Sequence, residues 1–493
     1  MVHGAKGSWC ALAMAAALGG CGPGEGLPPG EPGAVDEALL SVEAPDTGGL
    51  RLFADERGLA ATVSRSGPID RSGPFFQALG TNGRSCATCH VEAEGWTITP
   101  RGLQARFERT RGTDPVFRLV DGAVSPTADV STLDARRAAY RVLLDKGLIR
   151  VGLGLPAGAE FELVAVDDPY GHAGPAELSL FRRPLPTTNL NFLSTVMWDA
   201  RETFRDATSP LCVMGTTRCF APLPLDLAHQ ANSATVAHAE AAVVLDDAQR
   251  QAIVAFATGL FTAQVYDRSA GWLDARGGLG GPVRLSEEPA YFGSNDVLAG
   301  DYRTGAPFTP VAMRLYDAWA PGAAVAVERD RGGSSAARAA VARGQALFNG
   351  KPILITGVKG LNDDLGVAAL PGTCTTCHDA PNAGNHSIPM PLDIGLADAS
   401  RRTPDLPLYT LRRLATGETL QTTDPGRALL TGKWADVGRF KGPTLRALPT
   451  RAPYFHNGLA ADLGAVVDFY NTRFGVGFTS GEKADLVAFL GTL

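Results

Sequence analysis

The sequence predicts a mainly α protein in two regions, each built around one copy of the same short motif, with long irregular insertions. Three observations predict it. Cys-x-x-Cys-His occurs at Cys86–His90 and again at Cys374–His378. Ala336–Phe348 reads as a helix leading to the second copy, and Ser480–Leu493 reads as a closing amphipathic helix, with Ala484, Leu486, Val487, Phe489 and Leu490 apolar. Finally, 58 Gly and 34 Pro in 493 residues require long non-helical segments.

The motif carries its own chemistry. Two thiols about one turn apart add to the two vinyl groups of one porphyrin, and the following His is held under the iron. Zinc would want four clustered ligands, and a redox dithiol needs no His. Cys86, Cys89, His90 and Cys374, Cys377, His378 are therefore the expected attachment and axial residues of two covalently bound haem c groups.

Lys6 followed by the short apolar stretch Ala11–Leu18 reads as an export signal, too short to remain as a membrane span. Leu18-Gly19-Gly20-Cys21 resembles a bacterial lipobox, which makes residues 1–21 a lipoprotein-type signal and Cys21 the lipidated residue. The expected location is the periplasm, with the chain anchored to the outer membrane by lipid alone. Of eight Cys, Cys10 lies in the signal and Cys212 and Cys219 bracket a short loop; outside the cytoplasm they are expected to form a disulfide. A net charge of −6 without a basic run argues against nucleic acid.

Residues 22–48 are rich in Gly, Pro and acidic side chains and read as a flexible tether. The first haem region is expected over 49–330 and the second over 331–493. Within the first, Ile149–Val166 alternates apolar and polar residues and suggests a small hairpin. The stretch from about 270 to 335 is broken by Gly and Pro and reads as a connector with short local structure.

Three further blocks carry a resemblance: Met197-Trp198-Asp199-Ala200-Arg201, Arg343-Gly344-Gln345-Ala346-Leu347-Phe348, and Phe440–Arg446 followed by Ala452-Pro453-Tyr454-Phe455-His456-Asn457-Gly458. With the haem motifs they resemble the bacterial di-haem cytochrome c peroxidase superfamily, which includes the MauG-type enzymes. The resemblance leaves out the tether, roughly 91–170 and the 202–229 loop, so the chain reads as a long, divergent member. It implies two cytochrome-c-like helical domains. One haem would meet hydrogen peroxide, and the other would relay electrons from a small periplasmic cytochrome c or cupredoxin. Trp198 falls where the family places a Trp between the haems. Gln230 and Glu240 keep the ten-residue spacing of the family's peroxide-pocket pair, Glu240 as the acid–base carboxylate. His238 sits in the same segment, as a second base or an ordinary helix His.

The sequence departs from the family at three points. A distal His on haem one has only His172 as a candidate, 26 residues before Trp198; without it that haem is open. The sixth ligand of haem two falls on Tyr470, fourteen residues after His456, as in MauG, with Met390, His386 or His456 as alternatives. The family's calcium-binding Asn aligns with Arg183, whose charge would repel the ion and sets calcium in doubt. The expected function is peroxide reduction. Its rivals are MauG-like or rubber-oxygenase-like oxidation of a protein or organic substrate, and a non-catalytic electron-transfer protein.

Overall fold

The computed structural model describes residues 50–323 and 332–493. The signal, Cys21 and the 22–48 tether lie outside the described residues.

A four-stranded antiparallel sheet opens the described chain, in spatial order Arg51–Ala54, Gly58–Ser64, Leu260–Asp267, Gly271–Trp272. Its first turn is tight because the Asp55 carboxylate accepts the amides of Arg57 and Gly58, each at 2.8 Å. Gly58–Ser64 and Leu260–Asp267 are central and almost wholly buried, and the polar Thr62, Thr262, Gln264 and Asp267 are buried in them along with the apolar residues. Their buried hydroxyls pair across the ladder, Thr62 with Thr262 at 2.8 Å.

Two helices, Leu223–His238 and Asp247–Gly259, pack beside this sheet and share the apolar cluster of Ala231, Leu245, Ile253, Phe75 and Trp96. The second helix starts with a capping box, in which Asp246 accepts the Gln249 amide and Gln249 bonds back. At the other end of the chain, Ser335–Gly350 crosses Ser480–Leu490 at close range. Gly344 permits the crossing: a Cβ there would sit 2.0 Å from the Asp485 carbonyl oxygen. Phe348, Leu486, Phe489 and Leu490 fill the seam.

The expectation of a mainly α protein with two cytochrome-c-like domains is corrected here. Helices share the chain with four sheets, and one of these sheets joins the two halves. Ile149–Leu153 and Phe161–Asp167 are both strands, but they do not pair as a hairpin. Ile149–Leu153 pairs with Leu178–Arg182, and Phe161–Asp167 pairs with Leu408–Arg413. The alternating pattern identified strands, while the partners were set by burial of Phe161, Leu178, Leu180, Tyr409 and Leu411 in one shared cluster. Among its described residues the connector region holds only short elements, including helix Pro282–Glu287. No helix of the described residues is long and apolar enough to cross a membrane.

Candidate haem site

Each motif forms one 3-10 turn locked by its neighbours. Ser85 and Thr88 cap each other around Cys86–Thr88, and Thr373 and Thr376 do the same around Cys374–Thr376. The turn continues to the histidine: His90 N donates to Cys86 O at 3.0 Å and His378 N to Cys374 O at 3.2 Å. All four thiols are unbonded and burial raises them, Cys86 and Cys89 to about 11. Cys212 and Cys219 form a disulfide across seven residues.

Both imidazoles are oriented from behind. His90 Nδ1 meets Trp96 O at 3.0 Å and Thr187 Oγ1 at 2.9 Å, and His378 Nδ1 meets Gly384 O at 2.5 Å. A carbonyl on Nδ1 fixes the tautomer and leaves Nε2 with its lone pair for a metal. Burial lowers both, His90 to about 4, so the imidazoles are neutral as a ligand must be.

The first motif opens onto a cavity of about 1660 Å³, counted with its mouth, whose walls include Cys86, Cys89, His90, Trp198, Gln230 and His238. Arg183, Lys441 and Arg451 line the same cavity. None of the three has a carboxylate within ion-pair distance among the described residues; their donors reach backbone carbonyls. Arg183 and Lys441 are buried, and burial pulls Lys441 down to about 7 and Arg183 to about 10. Cations left without anions around a mostly apolar space fit the two propionates of a haem, so donor set and charge both suit the group. Arg183 also donates to the carbonyls of Lys146, Gly147 and Arg451 at 3.1, 3.3 and 3.2 Å, so a guanidinium occupies that carbonyl cluster.

Trp198 reaches the cavity with its Nε1 donating to Arg183 O at 2.7 Å. Its other face is edge-on to His456 at 6.2 Å, and His456 stacks on Phe440 at 3.9 Å. Behind Trp198, Asp199 and Asp424 clamp Arg182 at 2.6 and 2.7 Å in a buried network.

Gln230 stands on the cavity wall, whereas Glu240 is exposed, with its carboxylate accepting from Asn82 Nδ2 at 2.9 Å, and it is not part of the lining. His238 takes the place nearest to that role. Its Nδ1 donates to Asp121 Oδ2 at 2.6 Å, and Asp121 Oδ1 accepts from Arg84 at 2.6 Å. Burial pushes the Asp121 carboxyl up, but the hydrogen bond from His238 and the Arg84 guanidinium hold it below the ordinary range. An ionised Asp121 keeps the proton on Nδ1 and leaves His238 Nε2 as an acceptor. Sequence reasoning found His238 but not Asp121 or Arg84, which lie far from it in sequence.

His172 is elsewhere, on the loop after Phe161–Asp167. Its Nε2 is 3.4 Å from Glu177, and it does not line the cavity. At the second motif, Tyr470 sits on helix Leu463–Phe474, stacked on Phe474. Burial, then the Cys377 and Cys374 thiols, raise its phenol, which sets Tyr470 beside these two cysteines. Met390 is buried in the cluster that also contacts Cys374 and Cys377.

No family model matches the chain. Cytochrome-c peroxidase IdrP2 of Denitromonas iodatirespirans is 35% identical over 136 residues, which span 25% of this chain and 36% of that protein. Cytochrome-c peroxidase IdrP1 of Pseudomonas sp. (strain SCT) is 30% identical over 171 residues, 31% of this chain and 39% of its own. The chain is related to the cytochrome-c peroxidases. A longer match, to cytochrome-c peroxidase IdrP1 of Denitromonas iodatirespirans, is 28% identical over 245 residues, 44% of this chain and 60% of the peroxidase. The chain thus spans between 36% and 60% of the length of these peroxidases. A MauG-like protein associated with microbial copper homeostasis aligns over 92% of this chain and 94% of its own, at 15% identity and a TM-score of 0.34.

Proposed function

We propose that the chain is an exported di-haem c oxidoreductase that reduces hydrogen peroxide to two waters at the His90 centre. Two electrons and two protons are consumed per peroxide, and the electrons enter at the His378 centre from a small periplasmic cytochrome or cupredoxin. The observation that carries this reading is the His238–Asp121–Arg84 chain in the cavity that holds Cys86, Cys89 and His90. A pure electron relay needs no acid–base group beside its iron. A bound haem would supply the iron that takes peroxide and the redox equivalents that reduce it.

The protein's own groups would do the rest. Arg183, Lys441 and Arg451 bind the propionates and fix the ring. Asp121 orients His238, whose Nε2 accepts the proton of peroxide and returns it to the departing oxygen. Gln230, two turns earlier on the same helix, offers an amide to hold that oxygen. Trp198 lies on the cavity wall with a large π-system for electron passage. Export and lipid attachment rest on the segment ending in Cys21.

A second reading is oxidation of a protein or organic substrate. Tyr470 beside Cys374 and Cys377 favours it, because a phenolate ligand stabilises the ferric state and eases access to higher oxidation states. The test is oxidation of reduced small cytochrome c by purified haem-loaded protein lacking residues 1–21, with and without peroxide. Peroxide-dependent turnover that is lost in His238→Gln and retained in Glu240→Gln supports the reading. Loss in Glu240→Gln alone assigns the proton work to Glu240 instead, and no turnover in the parent protein turns the reading toward the second substrate class.

A further inference from the structure

Behind the second haem motif lies a cluster that the proposed chemistry does not use. Asp379 directly follows His378, and its carboxylate accepts from His386 Nδ1 at 2.9 Å, Ser387 N at 2.7 Å and Ser387 Oγ at 3.1 Å. Asp296 enters from another segment, and one ligand atom from each of Asp296, Asp379 and His386 lies within 4.8 Å of the others. All three residues are at most 4% exposed.

Two of their atoms are orphaned. Asp296 Oδ1 accepts the amides of Leu298 and Ala299 at 3.1 and 2.6 Å, but Oδ2 has no partner among the described residues, and neither has His386 Nε2. Buried polar atoms almost always find a partner, so two orphans in one cluster point to a missing ligand. The charges agree. No Lys or Arg among the described residues comes within ion-pair distance of either carboxylate.

We infer that Asp296 Oδ2 and His386 Nε2 bind a divalent cation of the zinc type, with water completing its shell and Asp379 as the carboxylate that orients the imidazole. A carboxylate on Nδ1 with Nε2 free is the arrangement that presents histidine to a metal, and a mixed imidazole and carboxylate set suits zinc and its late first-row neighbours. The two segments are already fastened at this point: Gly293 N donates to Ser387 O at 2.9 Å, and Asn295 Nδ2 to Asp379 O at 3.2 Å. The cation is structural, a clamp between the loop after His378 and the 293–300 loop, separate from the haem irons.

The probe is Zn²⁺. Haem-loaded protein is equilibrated with it, dialysed against metal-free buffer, and its zinc is counted against haem by elemental analysis. One zinc per chain is expected in the parent protein and in His172→Ala and His229→Ala, which remove histidines that pair with Glu177 and Glu202 instead of this cluster. Asp296→Asn loses the zinc, and Asp379→Asn binds it roughly 10–100-fold more weakly. No zinc retained by the parent protein, or full retention by an Asp296→Asn protein of unchanged haem content, overturns the inference. If Asp296→Asn does not fold, zinc-edge absorption on the parent protein decides. One nitrogen at about 2.0 Å with oxygen neighbours supports the site, and a sulfur shell or several imidazoles overturns it.

Discussion

Replacing Arg182 by Met removes one cation from between two carboxylates, and the structure sets the size of the effect. Arg182, Asp199 and Asp424 are each at most 3% exposed, and the guanidinium holds Asp424 through two nitrogens at 2.7 and 2.9 Å and Asp199 through a third at 2.6 Å. Removing one partner of a buried pair costs about 3–5 kcal/mol. Asp199 gives an independent figure. Burial raises its carboxyl, but Arg182 and Arg201 outweigh that and bring it from 3.8 to about 2, which corresponds to roughly 2 kcal/mol from one carboxylate. A folded value below the unfolded one means this stability is fully present above about pH 4 and is lost as pH falls through about 2. The parent protein therefore exceeds Arg182→Met by about 3–5 kcal/mol at pH 7, and the gap narrows below about pH 4. Urea unfolding of both haem-loaded proteins at pH 7 and at pH 3, followed by circular dichroism, measures it. A gap under about 1 kcal/mol at pH 7, the size of a surface pair, would refute the reasoning, as would a gap indifferent to acid.

Other expectations can be checked with the same material. His238→Ala should slow peroxide-dependent turnover by about 10²–10⁴-fold with haem content unchanged, read in the cytochrome c oxidation assay. Trp198→Phe keeps a ring but loses the Nε1 bond to Arg183; it should cost about 0.5–1.5 kcal/mol in unfolding and slow electron passage between the haems in stopped-flow traces. In a chain without haem one, Lys441 has a folded value near 7 against 10.5 unfolded, so the native state binds fewer protons between these values. Stability should then rise with pH across that window by about 1.4 kcal/mol per unit, and Lys441→Met should flatten the slope. Tyr470→Phe should change the low-spin signal of haem two in electron paramagnetic resonance while leaving haem one unaltered; an unchanged spectrum removes Tyr470 from the iron.

The local chemistry was legible because it is short-range. Cys-x-x-Cys-His needs only one turn of chain, and Ser335–Gly350 and Ser480–Leu490 show their helical period within one segment. Strand pairing was not legible, because register is a long-range property. Gly58–Ser64 finds its partner at Leu260–Asp267, and Phe161–Asp167 finds its own at Leu408–Arg413. Leu260–Asp267 follows helix Asp247–Gly259 directly, with no loop between them to mark where helix gives way to strand. The pocket followed the same division. A ten-residue spacing pointed to Gln230 and Glu240, but Glu240 lies past the helix end with φ at +56°, and that backbone turn carries its side chain to solvent. His238 is the last residue of the helix and keeps its direction, and its partners Asp121 and Arg84 arrive from another part of the fold.

The walls of the first cavity come from opposite ends of the chain, Phe75 to His90 on one side and Lys441 to Arg451 on the other. Such a chamber cannot close until nearly all of the polypeptide has been delivered. Cys86 and Cys89 emerge long before Lys441 and Arg451, so a haem joined to them on the open chain would be the surface on which those late residues settle. Haem loading and folding would then be one ordered process, with Lys441 and Arg451 the last cations to reach the propionates.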